Sequence, residues 1–132
     1  MKDRKVRLLV TVLLMAVVFS GILSQATAAS IADGEIGHLL DYLERSGCTM
    51  YRNGRWHSAL DARAHLEKKY HSIFGKGLVG TAEEFIDRVA TASSISGKPY
   101  QVKCDGREMV SSAEWLTAEL QRLRRSIAAT KP

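Results

Sequence analysis

Four histidines, two cysteines and a serine-rich stretch are the side chains from which this 132-residue chain could build a metal centre or a nucleophile. His57, His65 and His71 are separated by eight and six residues, whereas ligands sharing one helix face recur every three or four. No HExxH or HxH spacing and no clustered carboxylate accompanies them, so no metal site is expected. His38 stands alone and receives no role. Ser93, Ser94 and Ser96 lack the GxSxG turn that presents a nucleophile, and nothing in the sequence orders a His and an Asp around one of them. No catalytic residue is assigned. Gly97-Lys98 has the look of the end of a phosphate-binding loop, but the earlier glycine is missing, no helix follows and Pro99 removes an amide donor. No cofactor is expected.

Cys48 and Cys104 have neither a CxxC partner nor a neighbouring ligand motif, which leaves a structural disulfide as the expectation. The N-terminus supports it. Lys2, Arg4, Lys5 and Arg7 precede an uncharged apolar run from Leu8 to Leu23, and Ala26 and Ala28 are placed as an A-x-A cleavage site. These are the three parts of a secretory signal, and export leads to an oxidising compartment. Cleavage is expected after Ala28, giving a signal peptide at 1–28 and one domain at 29–132; an uncleaved membrane anchor is the alternative. No cysteine ends the apolar run, so lipoprotein processing has no acceptor. A disulfide closing the 56-residue separation would contribute about 4 kcal/mol in the chain-entropy picture.

The formal charge of +5 is mostly the leader's. Four of nineteen basic residues and one of fourteen acidic ones lie in 1–28, so the remainder carries +2. That is little electrostatic footprint for nucleic acid, and Arg122, Arg124 and Arg125 read as a solvated helix end. With 45% hydrophobic and 25% charged residues, the rest reads as one ordinary globular core.

Stepping along that core, Ile36, Leu39, Leu40 and Leu43 recur at helical spacing and predict a helix over roughly 31–46, stopped by Gly47. Asn53-Gly54 between runs containing Tyr51 and Trp56 predicts a type I′ hairpin. Ser58 and Asp61 open a second helix with Ala59, Ala62, Leu66, Tyr70 and Ile73 inward, ended by Gly75 and Gly77. Thr81-Ala-Glu-Glu84 is a capping box for a third, with Phe85, Ile86, Val89 and Ala90 inward. Residues 99–104 alternate as a strand. Ser111 and Glu114 open a last helix with Leu116, Leu120, Leu123 and Ile127 inward and Trp115 flanking them. The expected class is α+β: about four helices on an antiparallel sheet of three short strands, in the order helix, hairpin, helix, helix, strand, helix.

Tyr51-Arg-Asn-Gly54, Ala64-His-Leu66 with Lys69, Thr81-Ala-Glu-Glu-Phe-Ile-Asp87 and Ser93-Ser-Ile-Ser-Gly-Lys-Pro-Tyr100 together resemble the YfeK-like family of small exported proteins of Gram-negative bacteria, domain of unknown function 5329. The resemblance spans nearly all of the mature chain. It implies a periplasmic location and no established activity, and it supplies no catalytic residue. The disulfide rests on the compartment argument alone.

Arg52, Asn53, His65, Lys69, Glu84, Ser94, Ser96 and Lys98 are the candidate binding residues within these blocks. Two accounts of them stand open. They cap helices and brace a loop, or they form a polar groove for an envelope protein, peptide or glycan. Two functions follow: a non-enzymatic binding or interaction module, or a small hydrolase using His65 with Glu84 or a serine of 93–96. Intact mass tests the leader. Exported protein is expected to lack residues 1–28, and retention of them overturns the cleavage site.

Overall fold

A computed structural model describes residues 2–75 and 80–132, and for residues 2, 6 and 8–25 the backbone alone. The side chains of the apolar run and Gly77, the second expected helix stop, therefore lie outside the described residues. The chain divides into two compact units, 1–31 and 32–132. The first is part of helix α1 (Lys2–Arg45), which thus begins well before the expected start. Among the described residues, no helix is long and apolar enough to cross a membrane.

In the second unit, α1 buries Ile36, Leu39, Leu40 and Leu43, the expected stripe. Strand β1 (Thr49–Arg52) turns into β2 (Arg55–His57) through Asn53 and Gly54, whose φ values of 49° and 83° are the two positive angles of the type I′ turn. Helix α2 (Ala59–Phe74) is capped by the Ser58 hydroxyl, which accepts from the Asp61 amide at 3.1 Å. Thr81 and Glu84 complete the capping box that opens α3 (Ala82–Phe85). The helix then widens into a π-helical segment, Ile86–Ala90, where the Thr91 hydroxyl donates to the Ile86 carbonyl at 2.7 Å. Close packing decides the approach to α3. A Cβ on Gly80 would run into the Phe74 ring, so only glycine fits there.

Strand β3 (Gln101–Lys103) pairs antiparallel with β1, placing Met50 opposite Val102, and both are buried. The sheet has four strands rather than the expected three. Val110–Ser111 forms a two-residue β4 on β3, giving the order β2-β1-β3-β4. Two residues are too few to show alternation, and Ser111 also caps α4 (Ser112–Thr130), which masks the strand. The helices cover one sheet face, and Tyr70, Phe74 and Phe85 meet at centroid distances of 5.2 and 5.6 Å in the core between α2 and α3.

Leu116 and Leu120 of α4 are buried, but Leu123 is half-buried and Ile127 is 58% exposed. The apolar spacing continues after the core has ended, so the inward placement of Ile127 is corrected. Trp115 packs at 4.6 Å between ring centroids on Tyr42, closing α4 against α1. Glu119 is only 3% exposed and is held by His38 at 2.7 Å and by the Arg122 guanidinium at 2.6 and 2.7 Å. His38 thus has a structural task, supporting a buried carboxylate whose pKa is lowered chiefly by Arg122.

Cys48 immediately precedes β1 and Cys104 immediately follows β3, and the antiparallel register brings them together in a disulfide with Cα atoms 4.3 Å apart. Reduction releases a 56-residue constraint on the unfolded chain. The thermal midpoint is expected to drop by ~10 °C or more in reductant, given about 4 kcal/mol from the bridge and the usual scaling for a small domain. Two free thiols per chain in native exported protein overturns this.

Candidate functional site

Three elements converge beside the sheet edge: the hairpin tip, one face of α2 and the loop of residues 93–100. On α2, His65, Lys68, Lys69, Ser72 and Ile73 follow one another at spacings of three, four, seven and eight from His65, so they share a face. That face, with Arg52 and Asn53 from the tip and Ser93, Ser94, Ile95 and Tyr100 from the loop, encloses an open groove of about 310 Å³. Five of the eight candidate residues line it: Arg52, Asn53, His65, Lys69 and Ser94. Ser96 stands on the rim, where its hydroxyl donates to Asn53 Oδ1 at 2.7 Å. Lys98 is exposed on the same loop and does not line the groove. Glu84 is elsewhere, bonded to Thr81 in the cap of α3.

The loop is held from within. Thr91 accepts from the Tyr100 amide at 2.8 Å, Ala92 bridges to Pro99, and Ser93 exchanges backbone bonds with Lys98 and Gly97. The hydroxyl of Ser93, 6% exposed, accepts from the amides of Ile95 and Ser96, each at 3.3 Å. Ser93 is therefore the serine that braces the loop, and Ser94 is the one left facing the groove. A run of similar hydroxyls conceals this difference in the sequence.

Tyr100 forms the floor. Its ring is 1% exposed and its hydroxyl shares a hydrogen bond with His65 Nε2 at 3.2 Å. Lys69 Nζ lies 5.1 Å from the ring centroid and donates to the Ala92 carbonyl at 2.5 Å. Burial lowers the Lys69 pKa and raises that of Tyr100. His65 is pushed down to about 4, by desolvation first and then by the neighbouring cations Arg52 and Lys69. The imidazole is neutral at pH 7, and its partner is a phenol rather than Glu84 or a serine.

Among the groove's walls are Arg52, Lys68 and Lys69 and no aspartate or glutamate. Some cations elsewhere are matched. Arg63 pairs with Asp41, Glu44 and Glu67, and Arg124 pairs with Glu35 and Glu83. Among the described residues, none of the three groove cations is in such a pair. The arrangement suits a small anion or an anionic group on a larger ligand. Lys68 is the groove cation the sequence reading lacks, although it adjoins Lys69; its spacing of three from His65 was the signal available.

Comparison with known proteins gives a match to the model of a family of unknown function, DUF5329, over residues 30–124. Every groove residue lies within that range. The uncharacterized protein YfeK of Salmonella typhimurium strain LT2 is 39% identical over 69 residues, which is 52% of this chain and 56% of that protein. The match thus spans just over half the length of that curated relative. No solved structure matches the chain.

Two predictions arise from the groove. Between pH 6.5 and about 4 the unfolded chain binds a proton at His65 that the folded chain does not, so stability falls as pH drops through this window. The melting midpoint of His65→Gln is expected to fall less than that of the wild type between pH 6.5 and 4; an imidazole titrating near its ordinary value by NMR overturns the assignment. Separately, Ser93→Ala is expected to lower stability by about 1 kcal/mol in urea melts, with Ser94→Ala leaving it unchanged.

Proposed function

The chain belongs to the DUF5329 family, and we propose that it is an exported, non-enzymatic binding module of the cell envelope that holds an anionic ligand in the groove between the hairpin tip, α2 and the loop of residues 93–100. The observation that carries this reading is the concentration of Arg52, Lys68 and Lys69 around one depression without a carboxylate to neutralise them. Clefts lined by one sign of charge raise the local concentration of the opposite sign. Rigidity supports it too. The loop's internal bonds and the Ser96–Asn53 link hold the walls before any ligand arrives, which limits the ordering cost of binding.

Export is supported by the leader's pattern, by a family match that starts at residue 30, two residues beyond the expected cleavage, and by the Cys48–Cys104 disulfide. Together they favour the periplasm as its location. The binding reading is favoured over hydrolysis because His65 spends its hydrogen bond on Tyr100, and no serine hydroxyl or carboxylate is bonded to it among the described residues.

The test is an amide NMR titration with inorganic phosphate at low ionic strength. Saturable shifts are expected at Arg52, Lys68, Lys69 and Ser93 to Ser96, lost in Arg52→Ala/Lys68→Ala without a change in melting. Shifts scattered over all surface lysines and arginines, or none, overturn the groove. Recovery of the protein in the cytosolic fraction overturns export.

A further inference from the structure

Ile95 stands at the apex of the loop and is 96% exposed, the largest value among the exposed large hydrophobics of the described residues. Its backbone is not loose. Its amide donates to the Ser93 hydroxyl, and the loop closes behind it through the bond from the Ser93 amide to the Lys98 carbonyl. Ile95 borders the groove, yet its own chain leaves it almost wholly in water. Beside it lies the groove with Arg52, Lys68 and Lys69, and Lys98 is exposed three residues further along the loop.

We infer that this face docks on an anionic phospholipid surface, with a headgroup phosphate between Arg52 and Lys68 in the groove and Ile95 seated at the boundary of headgroups and acyl chains. The inference rests on the anion-binding reading above and names its ligand. Charge complementarity selects a negative surface, since the groove walls hold cations and no acid. Shape selects a bilayer over an acidic peptide. A peptide seated in the groove would meet Ile95 only on the side that borders it, leaving most of this 96% exposed side chain in water, whereas a fluid interface surrounds a protruding apolar side chain flanked by cations. The hydroxyls suit the same partner: Ser94 lines the groove and can donate to a phosphate oxygen, while Ser93 is already committed to the loop.

Such binding is shallow and reversible. One apolar side chain and a few cations give peripheral attachment, not insertion of a segment.

The experiment uses the protein in the form that accumulates on export. It is floated with vesicles of phosphatidylglycerol mixed into phosphatidylcholine, and with phosphatidylcholine alone. Expected is co-flotation with the anionic vesicles only, weakened by added salt. Arg52→Ala and Lys68→Ala are each expected to lower partitioning about fivefold, and Ile95→Ser about tenfold, all with unchanged melting midpoints. Equal partitioning of wild type and Ile95→Ser, or equal binding to both vesicle types, overturns the inference. So does saturable groove binding of a hexaglutamate peptide without recruitment to vesicles. Phosphate shifts at the groove without flotation defeat the membrane assignment and leave the anion site standing; absence of both defeats the two together.

Discussion

A phenol taken out of water needs a partner for its hydroxyl, and the answer to that requirement at Tyr100 organises the face that matters. The hydroxyl meets His65 on α2, the amide donates to Thr91 at the loop's entrance, and the carbonyl accepts from Ser112 at the start of α4. One residue therefore ties the third strand's approach to two helices and a loop. Its ring also gives Lys69 an aromatic face to lie against while the ammonium bonds Ala92. The pair with His65 is neutral by construction. Burial raises one pKa and lowers the other, so neither group adds charge to the groove at neutral pH.

Several charges outside the groove serve packing. Glu119, almost fully buried, is compensated by Arg122 and His38, and Arg124 spans Glu35 and Glu83 between α1 and α3. Arg63 likewise joins α2 to α1 through Asp41 and Glu44, and also pairs with Glu67 on its own helix. These pairs close on themselves and leave little field at a distance. Among the described residues, Arg52, Lys68 and Lys69 are in no such pair and line one groove whose walls hold no carboxylate, so a chain with a charge of only +2 outside its leader still gathers positive charge there.

The disulfide and the loop bonds act on different states. Joining Cys48 to Cys104 limits the unfolded ensemble of a small domain whose core alone is marginal. The bonds around Ser93 instead restrict the folded state locally, holding Ile95 outward and the groove walls apart. Stability and presentation are thereby separable: residues that brace the fold sit one position away from residues that face solvent.

Features whose partners lie within a few residues were readable in the sequence. Asn53-Gly54 specifies its own turn because both residues tolerate positive φ, Ser58 and Asp61 cap α2, and Thr81 and Glu84 cap α3 wherever the helix goes afterwards. The buried stripes of α1 and α2 and the α+β class follow from periodicity in the same way. Periodicity does not report where the core stops, so Ile127 matched the pattern and lies in solvent, and a two-residue strand at Val110 and Ser111 left no alternation to find. Arg52, Asn53, His65, Lys69 and Ser94 were recognisable as residue types, but their convergence was not. Tyr100 lies 35 residues from His65, Asn53 lies 43 from Ser96, and His38 lies 81 from Glu119. The sequence alone determined the local turns, caps and apolar faces, because short-range geometry is encoded in neighbouring residues. Only the tertiary structure decided which serine is buried, which carboxylate stays outside the groove and which cations remain unmatched, because those depend on where sheet register and helix packing bring distant segments together.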